Sequence, residues 1–167
     1  MATARDRGGH GAELAGSVDL NCKPSMLLAR AFLPDMARRG HGGMIFVSSL
    51  AGLQGVAGLA AYSATKAYLV TLGESLWAEL RPAGVDVLTV CAGAVVTPGY
   101  QEATRRRAPG ATSPEQVAAA ALGALGRGFR VVPGRLNQVS AFALQRLAPR
   151  RAAIAVFGRA SAAALKD

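Results

Sequence analysis

Three short apolar runs interrupt a chain otherwise patterned for helices: MIFVSS at 44–49, VDVLTVC at 85–91 and FRVV at 129–132. Each is too short for a helix, which predicts strands. In the first two, apolar residues follow one another rather than alternate, which predicts burial on both faces. A helical pattern runs from about Leu14 to Arg39, a second from Tyr62 to Leu80, and two amphipathic segments, about Leu136 to Leu147 and Ala152 to Leu165, end the chain. Pro24 and Pro34 fall in the first helix. Proline lacks a backbone donor and disfavours helix at the residue before it, so this helix is expected to be irregular near Asn21–Lys23. Arg81-Pro82 and Gly84 close the second.

SPEQ at 113–116 opens a further helix. Ser113 is the N-cap and Pro114 suits the first helical position. Glu115 faces the positive end of the helix dipole, and Gln116 completes a capping box. RGHGG, LAGLQGVAGLA and AGAVVTPGY read as connecting loops. Helix, strand, helix, strand, helix, strand and then helices is the order of an α/β domain with a parallel sheet. Only three strands are visible, whereas a doubly wound dinucleotide-binding sheet has about six.

With 167 residues, half of them hydrophobic, the chain suits one globular domain with a core. Its net charge of +9 is uneven: from Arg127 onward seven arginines and one lysine face a single acid, Asp167. No aromatic-interleaved basic patch or nucleic-acid module accompanies that charge, so nucleic acid is not expected as a partner. Cys22 and Cys91 are far apart and His10 and His41 lie between glycines, so nothing has metal-ligand spacing; the cysteines read as buried thiols of a reducing compartment. There is neither a signal-peptide pattern at the start nor an apolar run of membrane-spanning length.

The candidate chemistry lies in AYSATKAYL, residues 61–69, where Tyr62 and Lys66 stand four positions apart. On a helix that spacing puts a weak acid and a cation on one face. Ser49 lies 13 positions before Tyr62, at the carboxyl end of a strand, where ligand sites in open parallel sheets are found. Asn21 lies 28 positions before Ser49, and Thr97 falls in the loop after the next strand. Each has a plainer reading when taken singly. A helical tyrosine packs by its ring, a lysine faces solvent, serines end strands and an asparagine caps an interrupted helix.

Taken together, the asparagine in VDLNCKPS, the IFVSSLAG strand, the YSATK helix and the AGAVVT loop resemble the back half of the short-chain dehydrogenase/reductase family, over about Asp19 to Pro133. The joint order and spacing carry the resemblance, since an isolated YxxxK recurs by chance. It implies a partial Rossmann-like, doubly wound parallel sheet with flanking helices, comprising the last three strands of the family's sheet. It also implies an oxidoreductase that interconverts a carbonyl and a secondary alcohol with NAD or NADP, the latter slightly favoured.

Under that resemblance Tyr62 is the general acid/base. A free phenol, with a pKa of about 10, is a poor acid at neutral pH, and a neighbouring cation favours its ionised form. Lys66 supplies that cation and holds the nicotinamide ribose. Ser49 hydrogen-bonds the reacting oxygen and Asn21 places a water linking Lys66 to solvent. Tyr62, Lys66, Ala92, Gly93, Val95 and Thr97 would contact the cofactor, with Thr97 on the carboxamide. Ala92 stands where the family has a proline, and the 13-residue spacing selects Ser49 over Ser48.

The family's TGxxxGxG turn and NNAG segment are absent from the sequence. The expectation is a C-terminal part: residues 1–13 a flexible tail, 14–134 a truncated catalytic part, and 135–167 basic amphipathic helices. Arg105–Arg107 fall in the family's substrate lid, where they meet an anionic substrate or simply face solvent. The basic tail could lie on an anionic membrane surface, cover the substrate pocket or form a subunit contact. A small carbonyl or alcohol substrate, a homo-oligomer built through the two long helices, and a cytoplasmic or membrane-peripheral location complete the expectations. The other reading is a non-catalytic remnant serving as a binding or dimerisation module.

Overall fold

The structure, a computed structural model, describes residues 16–103 and 108–164. The N-terminal tail expected at 1–13 and the arginines at 105–107 lie outside the described residues. Residues 16–21 form helix α1, which a turn at Cys22 separates from α2 (Lys23–Arg39). The break falls where expected, because Pro24 cannot donate to the carbonyl one turn back. Pro34, by contrast, leaves α2 continuous. Gly40, at φ 74°, ends the helix in the left-handed conformation that glycine adopts at little cost.

Strand β1 (Gly42–Ser49) follows, then a single 3-10 turn (Leu50–Gly52) and helix α3 (Ala60–Leu80). β2 (Val85–Ala92) leads through α4 (Pro98–Ala103) and α5 (Pro114–Ala124) to β3 (Arg130–Val131), and α6 (Arg135–Arg146) and α7 (Arg150–Ala164) close the chain. The Ser113 side chain accepts the Gln116 amide and the Gln116 side chain accepts the Ser113 amide, so the capping box is formed. The sheet is parallel throughout, in the order β1-β2-β3.

β2 is central and buried on both faces, as its unbroken apolar run requires. Val85 and Val87 pack with Phe46 of β1, Ala29 and Leu33 of α2 and Leu69 of α3. Leu88, Val90 and Ala92 face the other way, onto Ala121 of α5. Cys91 joins Leu50, Val70 and Ala141 in a third cluster, which fastens α6 to the body.

β1 departs from the expectation of burial on both faces. Among the described residues it is an edge strand, paired with β2 alone, and Val47 is 58% exposed. Val47 points to the same face as Ile45, which α5 lines, but α5 packs over β2 and β3 and does not reach it. FRVV also forms less strand than its apolar length suggests: only Arg130 and Val131 pair with β2.

Candidate active site

The carboxyl ends of β1 and β2 carry the expected residues. The register pairs Ser49 with Ala92, so the serine and the start of the Ala92–Thr97 loop are neighbours across the sheet. Below them a hydrogen bond fastens β1 to α3. Ser48, buried, donates its hydroxyl proton to the Lys66 carbonyl at 2.7 Å. A Cβ on Gly52 would come within 2.7 Å of that same carbonyl, so only glycine lets the turn after β1 lie against the helix there. This contact holds the carboxyl end of β1 and the turn after it against α3 at Lys66, one helical turn past Tyr62.

The Ser49 hydroxyl oxygen accepts the Ala51 amide at 3.1 Å. That fixes the oxygen and leaves its proton available to donate. Tyr62 is 40% exposed, and the Lys66 ammonium sits 5.6 Å from the centroid of its ring. Lys66 also donates to the Val47 carbonyl at 3.1 Å, on the unpaired edge of β1. Partial burial holds the lysine's pKa below its ordinary value, while the neighbouring Cys22 acts weakly in the opposite direction. The Cys22 thiol is pushed up, mainly by burial.

Asn21 and Lys66 line one cleft of about 230 Å³ along the open edge of β1, together with Leu20, Ser25 and Val47. The asparagine's amide donates to the Ser17 carbonyl at 3.1 Å, and its own backbone carbonyl accepts the Ser25 hydroxyl at 2.8 Å. Both bonds hold the residue at the break between α1 and α2.

The Ala92–Thr97 loop fits one end of a nicotinamide cofactor. A parallel bridge to Thr112 uses the Ala94 carbonyl and the Val96 amide, at 3.0 and 2.9 Å. The amide and carbonyl of Val95 therefore point to the opposite side. The Thr97 hydroxyl oxygen accepts the Tyr100 amide at 3.2 Å, which leaves its proton free to donate. A carboxamide needs one donor and one acceptor, and Val95 and Thr97 can offer both. The half-buried amine of Lys66 suits the ribose hydroxyls.

Asn137 was not among the residues the sequence singled out. It is buried and donates to the carbonyls of Gly110 and Pro133, each at 2.9 Å. A Cβ on Gly93 would reach within 2.8 Å of its side-chain amide. The asparagine thus braces the Gly93 loop from behind: one bond reaches back four residues to Pro133, and the other crosses to Gly110, 27 residues away, which no local pattern announces. Among the described residues no group of three or more His, Cys, Asp or Glu can hold a metal, and no helix is long and apolar enough to cross a membrane.

The sequence profile of the short chain dehydrogenases matches residues 10–108. The chain belongs to that family. The ketoacyl reductase HetN of Nostoc sp. is 38% identical over 117 residues, which are 68% of this chain and 41% of that protein. A short-chain dehydrogenase of Burkholderia cenocepacia, solved with NADP, superposes with a TM-score of 0.72 at 26% identity, over 93% of this chain and 64% of that one. Another, from Sphingobium yanoikuyae in complex with NADPH, gives 0.59 at 28% identity, over 70% and 46%. The chain spans less than half the length of the curated relatives it matches. The family and the α/β fold inferred from the sequence both hold.

Proposed function

We propose that this chain carries the proton-transfer half of an NAD(P)-dependent oxidoreductase that interconverts a carbonyl and a secondary alcohol. What supports the reading is that Tyr62 and Lys66 lie one turn apart on α3, which the Ser48–Lys66 bond fastens to the strand that ends in Ser49. A nicotinamide, when bound, supplies or accepts the hydride. In the reductive direction the Tyr62 hydroxyl gives its proton to the carbonyl oxygen as charge develops there. Ser49 donates a hydrogen bond to the same oxygen, which stabilises that charge. Lys66 keeps a cation beside the phenol, and Asn21 shares its cleft, where a water can connect the amine to solvent. Val95 and Thr97 hold the carboxamide, with Ala92 and Gly93 forming the floor of the loop. The complexes of two relatives with NADP and NADPH favour the phosphorylated cofactor.

The test is ketone reduction followed by nicotinamide absorbance, with Tyr62→Phe alongside the parent chain. Phenylalanine keeps the ring and removes the proton, so turnover is expected to fall at least about a hundredfold. Activity retained within about tenfold would show that another group is the acid.

A second reading has its own support. β1 has an open edge, the sequence has no glycine-rich phosphate turn, and Met26, Leu27, Leu28 and Phe32 of α2 are exposed. On this reading the chain is a non-catalytic module that binds or dimerises through its long helices. Absence of any turnover with either nicotinamide, together with a dimer in sedimentation, would favour it.

A further inference from the structure

Helix α6 is amphipathic in an inverted sense. It docks on the body through its small and polar residues, Asn137 and Ala141, which are buried. Its large apolar residues point outward: Leu136, Val139 and Phe142, with Leu147 just past its end, are 52–75% exposed. Arg135 and Arg146 lie on this outward face, and Arg150 and Arg151 follow at the start of α7; all four are exposed. None of them has a carboxylate partner among the described residues. From Arg127 to Lys166 the sequence contains no aspartate or glutamate. The face is therefore apolar and cationic at once, with no acid paired to its arginines among the described residues.

We propose that this face docks on the surface of an anionic lipid bilayer, with α6 lying in the plane of the interface. Leu136, Val139 and Phe142 enter the acyl boundary while Arg135, Arg146 and Arg151 reach up to the headgroup phosphates; Arg150 instead donates to the Leu53 carbonyl at 2.9 Å and ties the start of α7 to the body. The charge argues against the nearest competitor. A second copy meeting this face with its own would set arginine against arginine with no acid between them. The helix has 12 residues, about 18 Å, so it lies on a membrane rather than crossing it. Nothing in the argument depends on Tyr62 or on a cofactor, so the proposal stands or falls independently of the enzymatic reading.

The experiment is co-sedimentation of the whole chain with vesicles of phosphatidylcholine alone and of an equimolar mixture with phosphatidylglycerol. Binding is expected only to the anionic vesicles. It should weaken as salt rises from about 0.1 M to about 1 M, over which the Debye length shrinks from about 10 Å to about 3 Å. The double variant Arg135→Gln/Arg146→Gln should bind about thirtyfold more weakly, at about one arginine's surface attraction each. Val139→Gln/Phe142→Gln should also lose binding at low salt, because the charges alone no longer anchor the helix. All four side chains are exposed, and circular dichroism verifies that both variants fold. Three results would overturn the proposal: no sedimentation with anionic vesicles at low salt, binding indifferent to either double variant, or equal binding to neutral vesicles. Self-association that Val139→Gln/Phe142→Gln abolishes, with no vesicle binding, would make the face a contact between copies instead.

Discussion

Ser48 and Ser49 are adjacent in the chain and differ in their work because successive strand residues point to opposite faces. Ser48 is turned inward and ties β1 to the Lys66 carbonyl, while Ser49 stands at the strand end with a proton to offer. Ser48→Ala is expected to cost about 1 kcal/mol of stability, measured by urea unfolding, through the lost bond. A neutral result would mean that packing around Gly52 alone sets the strand against the helix. Cys91 is a second residue whose environment decides its chemistry. Burial pushes its thiol from 9.0 up to about 11. Between those values the unfolded chain has released the proton and the folded chain retains it, so stability falls as pH rises through the window. A difference of that size corresponds to about 3 kcal/mol. Lys66, whose pKa is lowered, contributes with the opposite sign, so the comparison that isolates the thiol is with Cys91→Ala. The decline between pH 9 and 11 should be shallower in that variant. An identical slope would assign the pH dependence elsewhere.

At the scale of elements, the approach of α3 to β2 depends on a glycine inside a helix. A Cβ on Gly73 would stand 1.9 Å from the Thr89 hydroxyl oxygen, in the strand buried on both faces. That oxygen has no hydrogen-bond partner among the described residues. Alanine is the better helix former by about 1 kcal/mol. Overpacking nevertheless prevails, since neither backbone can retreat, and Gly73→Ala should destabilise by about 2 kcal/mol. Removing the hydroxyl with Thr89→Ala makes the space, so the double variant should be less destabilised than the sum of the singles by at least about 1 kcal/mol. Strict additivity in urea melts would show that the two do not meet. The same close approach brings the Tyr62–Lys66 turn to the end of β1, so this packing also sets the distances within the candidate site.

For the whole molecule, the described sheet has three strands, and the proposed function places only the nicotinamide end of a cofactor at their carboxyl edge. On the proposed reading the grip would come from Lys66, Val95 and Thr97, and the sequence has no glycine-rich phosphate turn to add to it. The chain by itself is therefore expected to bind NADH or NADPH with millimolar rather than micromolar affinity, read by calorimetry or nucleotide fluorescence. A micromolar constant would reveal phosphate contacts made by residues other than those named above.

The sequence alone determined the α/β class, the placement of three strands, the break near Asn21 and the capping box at Ser113, and it supplied the spacing from which the candidate site is proposed. These are legible because they depend on local signals: apolar runs, proline, capping side chains and a fixed spacing that a strand and a helix convert into position. Tertiary structure decided what depends on neighbours distant in sequence. The apolar run of β1 is that of a buried strand, yet α5 lies over β2 and β3, and among the described residues the strand is at an edge with Val47 exposed. Asn137 donates to the Gly110 carbonyl 27 residues away, a contact that no spacing rule describes. The amphipathic pattern of α6 was visible, but which face it would bury was not. A helix packed on small residues turns its large apolar side chains outward, and only the body it docks against makes that choice.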